Sequence, residues 1–247
     1  MIKRPTLVFL HGHPVSPVIW DFLASALSDD YAIVKPDFSR LTNHTSIDAY
    51  ADELHGQLVS SEMGACIMIG HSMGGYVALA AAEKYPDRVK GIVLFNSTAL
   101  ADPDTDQQRQ KRDDAKTMLE TEGGHAFVEK SIPAMFSEEH RHSLANEIRQ
   151  LVDAHKSLPE DAMLAGLQAI RTRPDRTAVL QNAGIPVLII VGREDKAIPI
   201  ERSNELKQKL PNAEFVVLEE SGHLGMIEEP EKSLLAIKPF IEKIHAE

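Results

Sequence analysis

The chain has 247 residues, with 26 Lys and Arg against 37 Asp and Glu, so its formal charge is −11 at neutral pH. That balance speaks against nucleic acid as a partner, which needs a basic stripe, and 43% hydrophobic with 26% charged residues is a globular rather than a disordered composition. One cysteine, Cys66, leaves no intrachain disulfide and no cysteine-rich zinc site, and the apolar run near the N-terminus is too short for a signal peptide or a membrane span, so a soluble cytoplasmic protein is expected.

The first apolar run is Thr6–Leu10, followed by His11-Gly12-His13-Pro14 and a helix-like stretch over Trp20–Leu27. Trp20 is the only tryptophan and is expected to pack that helix on the sheet. Next come the run Tyr31–Lys35, a helical segment Ser46–Ser60, the run Ala65–Ile69, a helical segment Gly75–Tyr85 and the run Gly91–Phe95. Cys66 lies inside a run and reads as a small buried hydrophobe. From 101 to 182 there is no strand candidate. Charged helical stretches, Asp104–Glu120, Glu138–Lys156 and Pro159–Arg171, are separated by Gly123-Gly124, Pro133, Pro159 and Pro174. The rhythm then resumes with Pro186–Val191, Glu201–Leu210, Ala213–Leu218 and Glu231–His245.

Nearly continuous apolar runs, without alternation, are the pattern of strands covered on both faces. Their alternation with helices predicts a doubly wound, mainly parallel six-stranded sheet with right-handed crossovers. Residues 1–100 and 183–247 form the expected core domain. Residues 101–182 form a helical insertion between the fourth and fifth core strands, at the sheet's carboxyl edge, where ligands bind in open α/β sheets.

Gly70-His71-Ser72-Met73-Gly74 fits G-x-S-x-G between a strand run and a helical run. That is the setting of a nucleophile elbow, in which a tight turn lifts the serine hydroxyl above the sheet edge beside a helix N-terminus. The bland alternative is a small-residue turn with Ser72 as a helix cap. Asp195 follows Pro186–Val191 and His223 follows Ala213–Leu218, so both sit on loops at the same edge as Ser72. Glu194 is adjacent and becomes the acid if the turn shifts by one. Asp37 also ends a strand run, Asn96 stands after the fourth strand without a charge to offer, and Asp102 opens the insertion.

With its GHSMGG elbow, the chain resembles the α/β-hydrolase superfamily, and within it the lid-bearing serine hydrolases. The likeness runs from Thr6 to about Ile244. The superfamily's order of nucleophile, acid and histidine implies a catalytic set of Ser72, Asp195 and His223, and puts Asp37 on the wrong side of the serine. It implies an oxyanion hole from the backbone N–H groups of His13, in the HG-x-P turn, and Met73. It makes residues 101–182 a lid, and it requires no metal and no organic cofactor. Aspartate stands at the Ser72 position in haloalkane dehalogenases and epoxide hydrolases, which disfavours both. The first strand begins too early in the chain for the N-terminal antiparallel hairpin of larger members, and the loop after Asp37 lacks their glycine-rich turn.

Several side chains are expected near substrate: His71, Met135, Phe136, Leu224 and Met226. His11 and His13 could form half of a zinc site with His71 or Asp37, but no H-E-x-x-H pattern supports it. Arg109, Lys111 and Arg112 are followed at once by Asp113 and Asp114, which reads as a solvated helix face rather than an anion clamp. The expected activity is hydrolysis of small or medium carboxylic esters or lactones through an acyl-enzyme. The same scaffold can instead cleave carbon–carbon bonds of diketones, hydrolyse amides, act as a cofactor-free perhydrolase or serve as a low-turnover ligand sensor. Monomer and homodimer are equally compatible with the sequence.

Overall fold

The computed structural model describes residues 4–246. Six strands, β1 (Thr6–Leu10), β2 (Ala32–Val34), β3 (Cys66–His71), β4 (Val89–Phe95), β5 (Val187–Gly192) and β6 (Glu214–Leu218), form one sheet in the order β2-β1-β3-β4-β5-β6. Every neighbouring pair is parallel, so the sheet is wholly and not just mainly parallel. The inner strands β1, β3 and β5 are buried along their whole length, while the edge strands are only partly covered. This is why the inner runs lack alternation in the sequence.

The period of two still sorts their side chains. Leu7, Phe9, Ile67, Ile69, Val93, Phe95, Leu188 and Ile190 face one way, toward α1 (Asp21–Leu27). Val8, Leu10, Met68, Ile92, Leu94 and Ile189 face the other, toward α2 (Ile47–Ser60) and α3 (Met73–Lys84). The sheet is thus a middle layer between two apolar cores. Trp20 is fully buried in the first core against Phe9 and Phe95, with ring centroids 5.3 and 5.6 Å away.

Between β4 and β5 the chain runs through five helices: α4 (Asp106–Met135), α5 (His140–Ser143), α6 (Ala145–His155), α7 (Glu160–Arg171) and α8 (Thr177–Asn182). Gly123 takes φ 86°, ψ 168°, which is not helical, so α4 is two helical stretches that meet at a sharp kink there, as the Gly123-Gly124 pair leads one to expect; glycine adopts such a positive φ without the penalty a Cβ would bring. After β5 come α9 (Ile200–Lys209), then β6, then α10 (Gly225–Glu228) and α11 (Pro230–Ala246), whose Ile237, Phe240 and Ile241 close the first core. Among the described residues no helix is long and apolar enough to cross a membrane.

Candidate active site

Ser72 lies between β3 and α3 with φ 50° and ψ −117°, a conformation that L-residues with a Cβ rarely adopt. It persists because its surroundings over-determine it. The Ser72 amide donates to Phe95 O at 3.1 Å, and the Ser97 hydroxyl donates to Ser72 O at 2.7 Å, so the end of β4 and the loop that follows it hold the turn from both sides. The flanking glycines are there for contact. A Cβ on Gly70 would sit 2.5 Å from the backbone of Gly74 and Gly75, and one on Gly74 would collide with the carbonyl of Leu10. Both obstacles are main chain and cannot swing away. Met73 opens α3, where the first amides of a helix have no intrahelical acceptor.

Asp195 and His223 come from the loops after β5 and β6. His223 Nδ1 and Asp195 Oδ2 are 2.7 Å apart, and both side chains are almost wholly buried. The other carboxylate oxygen, Oδ1, accepts from the amides of Ala197 and Ile198 at 2.8 and 2.9 Å. Oδ2 also accepts from the Asn96 side-chain Nδ2 at 2.8 Å. An aspartate held this way fixes the ring: Nδ1 carries the proton, and Nε2 is left as the acceptor. Glu194 is exposed and takes the amide of Glu138 at 3.3 Å, so the carboxylate beside His223 is that of Asp195. Asp37 is committed to Ser39, whose amide and hydroxyl it accepts at 2.9 and 2.6 Å.

Ser72 and His223 line the same cavity, of about 320 Å³. Among the described hydrogen bonds none joins the Ser72 hydroxyl to His223. Such links are often long before substrate arrives. Helix α4 contributes Lys111, Arg112 and Met135 to the cavity wall, and α7 contributes Leu167.

Of the side chains expected near substrate, only Met135 reaches this cavity. Phe136, Leu224 and Met226 are buried in the first core instead, where their neighbours are apolar side chains. His71 is also fully buried: its Nε2 donates to His223 O at 2.9 Å, and its ring centroid lies 4.6 Å from that of His223. It braces the histidine loop from behind. Burial holds its pKa well below the ordinary histidine value.

The histidines of the HG-x-P turn serve backbone groups. His11 accepts the Phe38 amide at 2.9 Å on Nε2 and pairs with Gly12 O at 2.8 Å through Nδ1, which occupies both ring nitrogens. His13 Nε2 donates to Met163 O at 2.9 Å, tying the turn to α7. Burial lowers both to about 4, so both rings are neutral at ordinary pH. Burial likewise pushes the Cys66 thiol up to about 12, which leaves it inert.

Two residues at the site escape sequence reasoning. Asn96, set aside there for lacking a charge, donates from Nδ2 to both Asp195 and Gly222 O, the latter at 3.1 Å. Glu228 is buried on α10 and accepts four hydrogen bonds. Its Oε1 takes the amides of Gly222 and Leu224 at 3.0 and 3.1 Å, and its Oε2 takes the Ser137 amide at 2.8 Å and His140 Nδ1 at 3.2 Å. It therefore clamps the residues on either side of His223. A glutamate five residues past a histidine carries no motif, and nothing in the sequence marks it.

A model of the Alpha/beta hydrolase family matches residues 7–236. The chain belongs to that family, and it is an enzyme of the serine hydrolase type. It is 29% identical over 244 residues to the "Putative carbamate hydrolase RutD" of Agrobacterium fabrum, covering 93% of this chain and 90% of that one. It is 27% identical over 250 residues to the pimeloyl-[acyl-carrier protein] methyl ester esterase of Vibrio vulnificus, covering 98% and 96%. Among solved structures, a thermophilic esterase from Thermogutta terrifontis superposes with a TM-score of 0.89 at 28% identity, covering 98% of this chain and 91% of that one.

Proposed function

We propose that this chain hydrolyses small or medium carboxylic esters or lactones, with Ser72 as nucleophile, His223 as general base and Asp195 as the acid that orients it. The observation that carries the reading is the buried Asp195–His223 pair, 2.7 Å apart, opening on the same cavity as a serine held at positive φ. A serine hydroxyl attacks a carbonyl only when a base takes its proton. His223 Nε2 is the base, because Nδ1–H is committed to Asp195. The amides of His13 and Met73 receive the charge that develops on the carbonyl oxygen, and one such donor is typically worth ~3 kcal/mol. His223 then returns the proton to the departing alkoxide. A water attacks the acyl-Ser72 ester by the same proton path, releasing the acid and restoring the enzyme.

Residues 101–182 act as a lid in this reading, because α4 and α7 wall the cavity above the serine. A cavity of about 320 Å³ lies at the low end of ligand pockets, which fits small or medium substrates. The names of two relatives, a methyl ester esterase and an esterase, support ester chemistry. The test is a fluorophosphonate probe read by intact mass, with p-nitrophenyl acetate turnover beside it. One adduct on the wild type, none on Ser72→Ala, and turnover lost in that variant are the expected results. An unlabelled wild type, under conditions that label a control hydrolase, overturns the nucleophile assignment.

A further inference from the structure

The cavity that holds Ser72 and His223 has a charge opposite to that of the protein. The chain carries −11 overall, yet Lys111, Arg112, Arg141 and Lys196 line the cavity and no Asp or Glu does. The four come from three separate places: Lys111 and Arg112 from α4, Arg141 from α5 and Lys196 from the loop after β5. One solvated helix face cannot account for that convergence.

The neighbouring charges separate the cations that are already satisfied from those that are not. Arg109 is turned away from the cavity and paired with Asp104 and Asp106. Arg112 is held by Asp102 through Nε and Nη2 at 3.0 and 2.9 Å, and Asp102 also takes Arg173 at 2.9 Å. Lys111, Arg141 and Lys196 have no salt bridge among the described residues. Arg141 uses only Nε, toward Pro133 O at 3.1 Å. Lys111 and Lys196 are exposed and Arg141 is half-buried. Partial desolvation and the cation of Arg112 lower the pKa of Lys111, while the carboxylates of Asp195 and Asp102 act the other way. Cations without a direct partner at the mouth of a cavity gain charge-assisted hydrogen bonds from an anion that enters it.

We propose that the preferred substrate carries a free carboxylate a few bonds from the scissile ester, received by Lys111, Arg141 and Lys196 beside Ser72. This rests on the hydrolase reading above and names the substrate class for that site. The carboxylate replaces the water around these cations with charge-assisted hydrogen bonds, and the cationic cavity draws anions toward a protein whose net charge would otherwise repel them.

The experiment uses half-esters of straight-chain dicarboxylic acids, from monoethyl succinate to monoethyl suberate. Each is paired with the carboxamide of the same length, which keeps the shape and removes the charge. Two quantities are read for each pair: kcat/KM with the wild type, and Kd by calorimetry with Ser72→Ala. At the best length the acid is expected to win by about tenfold or more in both, and the margin shrinks as salt is raised. In the double variant Lys111→Gln, Lys196→Gln the ratio falls toward one, whereas Arg109→Gln leaves it where it was. Carboxamides that match or beat the acids at every length in both measurements overturn the proposal. A wild type that turns over neither series, while Ser72→Ala still prefers the acids, removes the hydrolase reading and leaves the carboxylate site standing.

Discussion

Replacing Glu228 by Gln tests whether the histidine loop is held from α10. The substitution changes one oxygen to an NH2 group and hardly alters the shape. The Glu228 side chain has no solvent exposure, so no water can take over a lost partner. One carboxylate oxygen faces the amides of Gly222 and Leu224, and the other faces the Ser137 amide and the His140 ring. A glutamine can offer an acceptor to only one of these pairs. It then presents N–H donors to the other, leaving at least one main-chain amide buried without a partner. Each such group costs about 1–3 kcal/mol, more where the lost acceptor was charged, so a stability loss of roughly 2–5 kcal/mol is expected. Urea unfolding of both proteins measures it. The loss falls on the residues flanking His223, so turnover of p-nitrophenyl acetate drops as well, chiefly in kcat. A Gln variant within about 0.5 kcal/mol of the wild type, the range of an ordinary surface substitution, and with the same kcat, would mean that the loop is held by other contacts.

Asp195→Asn leaves the packing in place but favours the wrong imidazole tautomer, and kcat should fall by roughly 1,000- to 10,000-fold. Glu194→Gln should leave it nearly unchanged, and the reverse pattern would reassign the acid. Asn96→Ala removes one donor to Asp195 and should cost about 1 kcal/mol of transition-state stabilisation, a fivefold to tenfold loss in kcat for p-nitrophenyl acetate; an unchanged kcat would show that Asp195 needs no support from Asn96. Gly70→Ala drives a methyl group into the backbone of Gly74 and Gly75, so soluble yield and melting temperature should both fall; an unchanged melt would show that the elbow can relax. Acid stability follows from His11 and His13, which burial lowers to about 4. The unfolded chain takes up these protons near pH 6.5 and the folded one resists until about pH 4. Their contribution is therefore present above pH 6.5 and lost as pH falls toward 4, by up to about 3 kcal/mol per ring. Thermal melts across that range should decline and should decline less steeply in His13→Gln; a flat profile down to pH 5 contradicts the burial argument.

The strands were legible because burial on both faces leaves a mark in one dimension: an unbroken apolar run. Thr6–Leu10 matches β1 to the residue, and the other bounds move by one or two positions, as where β3 extends through Gly70 and His71 to pair with Leu94 and Phe95. In the turn around Ser72 the two glycines differ: Gly70 is required by the main chain of Gly74 and Gly75, a few residues on, whereas Gly74 is required by the Leu10 carbonyl at the end of β1, a contact that only the fold creates. Asp195 could be chosen over Glu194 only by direction. The two are neighbours in sequence, and the fold points one inward to His223 and the other to solvent.

What stays hidden in the sequence is which apolar side chains line a cavity and which fill a core. Phe136, Leu224 and Met226 have the composition of a pocket wall and are packed in the interior, while Met135, one residue away from Phe136, is in the cavity. The run from Arg109 to Asp114 shows the same ambiguity for charge. A helix face turned to bulk solvent and a helix face turned over a water-filled site are both wet, so both tolerate the same mixture of Lys, Arg and Asp. Only the docking of α4 separates them: Arg109 pairs outward with Asp104 and Asp106, Asp113 pairs with Arg171, and Lys111 and Arg112 turn over the serine. The pattern that reads as a solvated surface is thus also what a hydrolase of charged substrates requires, and the two are separated by the direction of one helix, not by its residues.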